Sequence, residues 1–271
     1  FDGRLSTEEQ RIAGFLEMDM TSYQREGVCF LKLNQSYDSF SDECMNGKKL
    51  IWGDSNAAAL SFGLRNYESF SQLTASACPP FVNLTFSDRP LCEEINTKIL
   101  EIIKKTNFEH IYLHANWIRY SSEQIYSISS TIDELLMASP NLKITVIGGV
   151  PQWKPSLPTI IIRNMNADQN NLISREIRNY QISEVSLRDT EIKDLIAEYS
   201  DNKNIRFISL LTRLCDGEKC LALIRRCDKD EPITWDSDHL GISGSKFVAR
   251  MILKKENEKP ILKCLVKSNI H

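Results

Sequence analysis

No stretch of this sequence is apolar for the roughly 20 residues that a helix needs to cross a bilayer, which excludes a membrane-spanning helix within these 271 residues. Histidine is scarce, four in all, and no C-x-x-C pair occurs, so the common zinc frameworks lack ligands at the right spacing. Nor is there a glycine fingerprint for a nucleotide: "IGGVP" and "GISGS" miss the required spacing, and no cofactor is expected. An excess of positive charge is absent too. Acids and bases are well mixed and the net charge is −3, without the basic stripe of a nucleic-acid binder. Short clusters such as Lys104-Lys105 and Lys254-Lys255 read as solvated helix ends. The opening "FDGRLSTEEQ" has neither an initiating Met nor a signal-peptide pattern, so the chain is expected to be an excised piece of something longer.

Cysteine, by contrast, is plentiful. Eight occur, mostly in polar or proline-containing loop contexts, and an even number in such places points to disulfides and an oxidising compartment. Reduced thiols and zinc ligation are the competing readings. The pairs that close short loops are Cys29–Cys44, Cys78–Cys92 and Cys215–Cys220; Cys227–Cys264 is the pair that remains.

Apolar runs at 48–52, 70–74, 108–114, 142–147 and 205–211 have strand character. Helical patterns lie between or around them at 6–20, 57–66, 93–105, 122–138, 187–199 and 241–253, with Ser243 as a candidate N-cap of the last. The stretch 151–181 resists assignment, and 220–236 has the look of a short hairpin. Strands alternating with helices predict an α/β fold, a three-layer α/β/α sandwich around a mostly parallel sheet. We divide the chain into a helical extension with a disulfide-closed loop at 1–44, packed on a catalytic domain at 45–271.

In such sheets ligands bind beyond the carboxyl ends of the strands. Three sequence features fall there. "WGDSNAAAL" puts Ser55 at a turn between the first strand and a helix; Asp54 or Ser55 is equally a helix cap. "WDSDHLGISGS" sets Asp236 three residues before His239, a spacing that lets the carboxylate accept from Nδ1–H while Nε2 faces outward. Asp238 is less well placed for that bond. "YLHANWIRY" sets Asn116 just past a strand, where its amide would complement the Ser55 N–H around an oxyanion, or would simply form a turn.

G-D-S after the first strand, Asn after the third and D-x-x-H before the last helix resemble the SGNH (GDSL-type) hydrolase superfamily over roughly residues 45–255. More narrowly, "SACPPF" at 76–81, Cys92, "CDGEKC" at 215–220 and "DSDHLGISGS" resemble the C-terminal extracytoplasmic SGNH domain of acyltransferase-3 family glycan O-acetyltransferases. The resemblance implies an SGNH/flavodoxin-like sandwich and a catalytic triad of Ser55, His239 and Asp236. It implies acetyl transfer through a serine ester onto a hydroxyl of a cell-surface glycan (O-antigen, peptidoglycan or another polysaccharide). It also implies a membrane acyltransferase domain in the parent protein as the acetyl relay, and a periplasmic location tethered to the inner membrane.

The sequence departs from the superfamily where a second-block glycine should supply an oxyanion N–H. "TASACPP" stands there, leaving Ala75, Ser76 or Ala77 as donors, with Ser76 taken as the working choice. Asn56 and Trp117 are candidate substrate-pocket residues. Two other functions share these residues: a carbohydrate acetylesterase, and an inactive glycan-binding domain with Trp117, Arg119, Tyr120 and Trp153 as its stacking surface.

Overall fold

Leu50 and Trp52 face one half of the hydrophobic core and Ile51 faces the other. That two-sided burial of a single strand requires layers above and below the sheet. The computed structural model describes residues 5–167, 176–179, 181–226 and 229–254. Its strands in chain order are β1 (Phe30–Leu31), β2 (Lys49–Gly53), β3 (Phe70–Ala75), β4 (His110–His114), β5 (Lys143–Ile147), β6 (Glu176–Arg178), β7 (Ile205–Ile208), β8 (Cys215–Asp216), β9 (Lys219–Leu221), β10 (Leu223–Arg226) and β11 (Lys229–Pro232). Six of them form a parallel sheet in the order β1-β3-β2-β4-β5-β7.

The α-helices are α1 (Thr7–Ala13), α2 (Thr21–Gln24), α3 (Ser55–Tyr67), α4 (Cys92–Lys105), α5 (Ser122–Ala138), α6 (Leu157–Ala167), α7 (Ile182–Ala197), α8 (Leu211–Leu214) and α9 (Ile242–Ile252). Residues of α4, α5 and α7 share the core half of Leu50 and Trp52, whereas α3, α6 and α9 share that of Ile51. The result is the expected α/β/α sandwich. Helix ends follow local chemistry: Ser121 caps α5 and receives Gln124 in return, a capping box.

Several local expectations change. The pattern over 6–20 yields only α1 followed by a 3₁₀ turn at Gly14–Glu17. Within 151–181 the chain forms α6 and then β6, which pairs with β9. The hairpin near 220–236 is β10 paired with β11. Ser243 is not the cap of α9. Gly241 holds that position, and the Ser243 hydroxyl donates to Glu231.

The segment before residue 45 packs on the sheet and also supplies its edge strand, since Phe30 and Leu31 pair with Thr74 and Ala75. Disulfides join Cys29 to Cys44, Cys78 to Cys92 and Cys215 to Cys220. The pair Cys227–Cys264 lies outside the described residues. No helix among the described residues is long and apolar enough to cross a membrane.

Candidate active site

β2 ends at Gly53, where the backbone presses against β4. A Cβ at Gly53 would sit 1.7 Å from the His114 carbonyl oxygen, and its φ of +157° also favours glycine. The chain then turns through Asp54 into α3. Asp54 is the helix cap: its Oδ1 accepts from Asn56 N at 2.9 Å. Ser55 is thereby the first helical residue, so cap and hydroxyl are adjacent positions with separate tasks.

On the loop before α9, Asp236 organises His239. Its Oδ1 accepts from His239 N at 2.8 Å and from Asp238 N at 3.0 Å, while Oδ2 stands 2.7 Å from His239 Nδ1. The imidazole is held so that Nε2 lies 2.8 Å from Ser55 Oγ. With Nδ1–H donating to Asp236, Nε2 is left as the acceptor for the Ser55 hydroxyl proton.

Electrostatics sharpen the division of labour. Burial raises the pKa of Asp236, but the hydrogen bonds from His239 and from two backbone amides outweigh it and hold the carboxyl below its usual range. Burial would lower the pKa of His239, but Asp236, Asp238 and Asp54 together push it up to about 9. Asp54 is itself driven up to about 6 by burial, against the N–H bonds of Asn116 and Asn56.

Two carboxylates do more than the sequence suggests. Asp54 Oδ2 accepts from Asn116 N at 2.9 Å, tying the end of β4 to the start of α3. Asp238 Oδ2 accepts from Asn56 Nδ2 at 2.9 Å and from Asn116 Nδ2 at 2.7 Å, and its Oδ1 lies 3.7 Å from His239 Nδ1. Asp236, Asp238 and His239 bring potential metal-ligand atoms within 4.8 Å of one another. Those carboxylates and the imidazole are already engaged by hydrogen bonds, so the cluster reads as a hydrogen-bond network.

The groove over Ser55 has a volume of about 570 Å³, a size typical of small-ligand sites. Ser76, Arg119, Trp235 and His239 line it together with Phe30 and Lys32 from the N-terminal segment. Trp235 stacks on His239 with ring centroids 5.8 Å apart and is the groove's large aromatic, a residue the sequence reading passed over. Its place four residues before His239 on the same tight loop is the signal that was there to be read.

Four expected pocket residues are elsewhere. Trp117 is 1% exposed, packs on Phe81 and donates to the Ile147 carbonyl at 2.7 Å. Trp153 and Tyr120 are core residues as well. Asn56 is buried with its amide turned to Asp238 rather than into the groove. The backbone N–H of Ser76 is also unavailable to an oxyanion, because it donates to the Leu31 carbonyl at 2.8 Å as β1 continues its ladder. Only the rest of Ser76 faces the groove. Of the proposed stacking surface, Arg119 alone lines it.

A parallel sheet with Ser55 at the carboxyl end of β2 and a D-x-x-H loop before the last helix defines an SGNH-type hydrolase fold. The chain belongs to the family described as SGNH domain (fused to AT3 domains), whose model matches residues 27–254. Among solved structures it is similar to the periplasmic domain of a lipopolysaccharide acetyltransferase from Salmonella ser. Paratyphi A, with 24% identity over 91% of this chain and 97% of that one, at a TM-score of 0.73. It is more distantly similar to an aryl esterase from M. smegmatis, with 8% identity, 77% and 98% coverage and a TM-score of 0.46. Est24, a carbohydrate acetylesterase from Sinorhizobium meliloti, matches with 11% identity, 77% and 98% coverage and a TM-score of 0.42. No curated protein matches the sequence.

Proposed function

We propose that this domain is a serine-dependent O-acetyltransferase that moves an acetyl group through an ester on Ser55 to a hydroxyl of a cell-surface glycan. The observation that carries the reading is the line Asp236 Oδ2–His239 Nδ1 at 2.7 Å and His239 Nε2–Ser55 Oγ at 2.8 Å. Membership of a family of SGNH domains fused to AT3 domains supports transfer rather than simple hydrolysis, with the membrane acyltransferase domain as the source of acetyl groups. The likeness to the periplasmic domain of the Salmonella enzyme supports the glycan acceptor. With the three disulfides it also supports an extracytoplasmic site of action.

In the first half-reaction His239 Nε2 takes the Ser55 proton as Oγ bonds to the acetyl carbonyl carbon. The oxyanion is met by the Ser55 N–H at the start of α3 and by the Asn116 amide, which keeps one hydrogen after giving the other to Asp238. The Ser76 side chain faces the same groove. The donor leaves with the proton from His239. In the second half-reaction His239 removes the proton of the acceptor hydroxyl, whose oxygen attacks the serine ester; Ser55 departs and takes the proton back. Water in place of the acceptor makes the reaction an acetylesterase.

The test is p-nitrophenyl acetate turnover followed by acid quench and mass spectrometry of the Ser55 peptide. The parent should release nitrophenol and carry acetyl on Ser55, and added acceptor glycan should discharge the ester with appearance of acetylated glycan. Ser55→Ala should lose about 10³-fold or more in rate. Equal turnover by that variant would end the proposal. Discharge to water alone, whatever glycan is offered, would leave a deacetylating esterase; glycan binding with no Ser55 ester would leave a binding module.

A further inference from the structure

At the end of the sheet remote from Ser55, the first residues of three neighbouring strands are Lys49, His110 and Lys143, in register across β2, β4 and β5. Side chains alternate along a strand, so Tyr112, Thr145 and Arg206, in register two residues further on, share their face. That face carries α3 and α9. α9 stops at Ile252, and among the described residues a cleft of about 370 Å³ lies beside its end. Among the described residues five cations line it, Lys49, Lys143, Lys203, Arg206 and Lys254, against one carboxylate, Glu68, which pairs with Lys49. The chain as a whole carries −3, so this cleft runs against the charge of the molecule.

The floor of the cleft is ordered. Arg206 Nε donates to Thr145 Oγ1 at 2.9 Å, and the same hydroxyl is hydrogen-bonded to His110 Nε2, 2.8 Å away. The His110 ring stacks on Tyr112 with centroids 4.1 Å apart. Burial, and then the nearby charges of Arg206, Lys49 and Lys143, push the His110 pKa down to about 3. The imidazole therefore adds no charge of its own.

We infer that this cleft is a binding site for a phosphate-type oxyanion, a phosphomonoester or pyrophosphate group. An oriented guanidinium beside several ammonium groups matches the geometry and charge of such an anion, and the volume suits a small ligand. The five residues of β2 separate it from Ser55 by roughly 16 Å at ~3.3 Å per residue. The inference is thus independent of the acyl-transfer chemistry. Two sources share this chemistry: the headgroups of an anionic lipid surface, and a soluble phosphate compound.

The test is titration calorimetry of the intact chain with inorganic pyrophosphate at low salt. Alongside it, the chain is co-sedimented with phosphatidylglycerol and with phosphatidylcholine vesicles. Two variants are compared, Lys143→Gln/Arg206→Gln and Lys143→Gln/Lys203→Gln; the second alters only exposed lysines. Turnover of p-nitrophenyl acetate, expected to be unchanged, reports that each variant is folded. Binding of pyrophosphate or of phosphatidylglycerol vesicles should weaken on the order of tenfold in the variants and fall with added salt. Pelleting with phosphatidylglycerol but not phosphatidylcholine assigns a headgroup source, and pyrophosphate binding alone assigns a soluble one. Absence of both, or binding equally strong in the parent and both variants, overturns the inference.

Discussion

His239 Nε2 lies 2.8 Å from Ser55 Oγ across 184 residues of intervening sequence. The approach depends on two strand-end turns: the tight one after β2 that displays Ser55, and the Asp236-centred loop that aims the imidazole. Four consequences can be measured.

The first concerns pH. A base works only when deprotonated, and the Asp236, Asp238 and Asp54 carboxylates, acting against burial, push His239 up to about 9. The kcat/KM for p-nitrophenyl acetate should therefore rise about tenfold per pH unit through the neutral range and level off above about 9. Asp238→Asn removes one of the charges and should move the midpoint toward acid. Stability should run the other way. A raised imidazole pKa stabilises the fold below its unfolded value near 6.5, and that contribution is lost as pH rises through about 9. The parent's Tm should fall over that window more than that of His239→Gln. A rate profile with its midpoint near 6.5 would contradict this account of the site.

The second concerns the turn. Gly53→Ala places a methyl 1.7 Å from the His114 carbonyl oxygen. Backbone on both sides must move, so urea unfolding should report a loss of at least ~2 kcal/mol. Esterase activity should fall as well, because Ser55 rides on the same turn. Wild-type stability in this variant would mean that β2 and β4 are not packed as described.

The third concerns the edge strand. Cys29 and Cys44 are 15 residues apart and anchor β1, whose Phe30 lines the groove. Closing a loop of that length contributes about 3 kcal/mol in the chain-entropy account. The Cys29→Ser/Cys44→Ser variant should lose stability of that order, and hydrogen exchange at Ser76 N–H should speed up as its Leu31 partner loosens. Unchanged exchange there would separate the disulfide from the edge strand.

The fourth separates two tryptophans. Trp117 is a buried core residue, so Trp117→Ala should cost ~3–5 kcal/mol in stability. Trp235 is half-buried over the groove and stacked on His239. Trp235→Ala should cost far less stability, yet raise KM for ester or acceptor several-fold. The reverse pattern in paired denaturation and kinetic measurements would exchange their roles.

Much of the architecture was readable because its causes are local. The apolar runs at 48–52 and 142–147 match β2 and β5 to within a residue or two, since alternation along a strand and burial on both faces leave a direct mark on composition. Boundaries moved where a side chain intervened: α3 begins two residues earlier than its apolar pattern because Asp54 caps it. Aromatics misled. Trp117, Tyr120 and Trp153 follow strand ends, where an exposed ring would meet a ligand, yet each is buried. Hydrophobicity alone does not say which side of a loop a ring takes.

Local patterns thus sufficed for the alternation of strands and helices, and for the placement of a serine, an asparagine and a D-x-x-H loop along one rim of a parallel sheet. Hydrogen-bond partners were decided by packing. Asp238 gathers amides from 182 and 122 residues away, and the Ser76 N–H donates to a two-residue strand that lies within the loop closed by Cys29 and Cys44. Periodicity and spacing describe a segment's own backbone. A donor's partner depends on which distant segments the core brings alongside it, and that is a property of the assembled molecule.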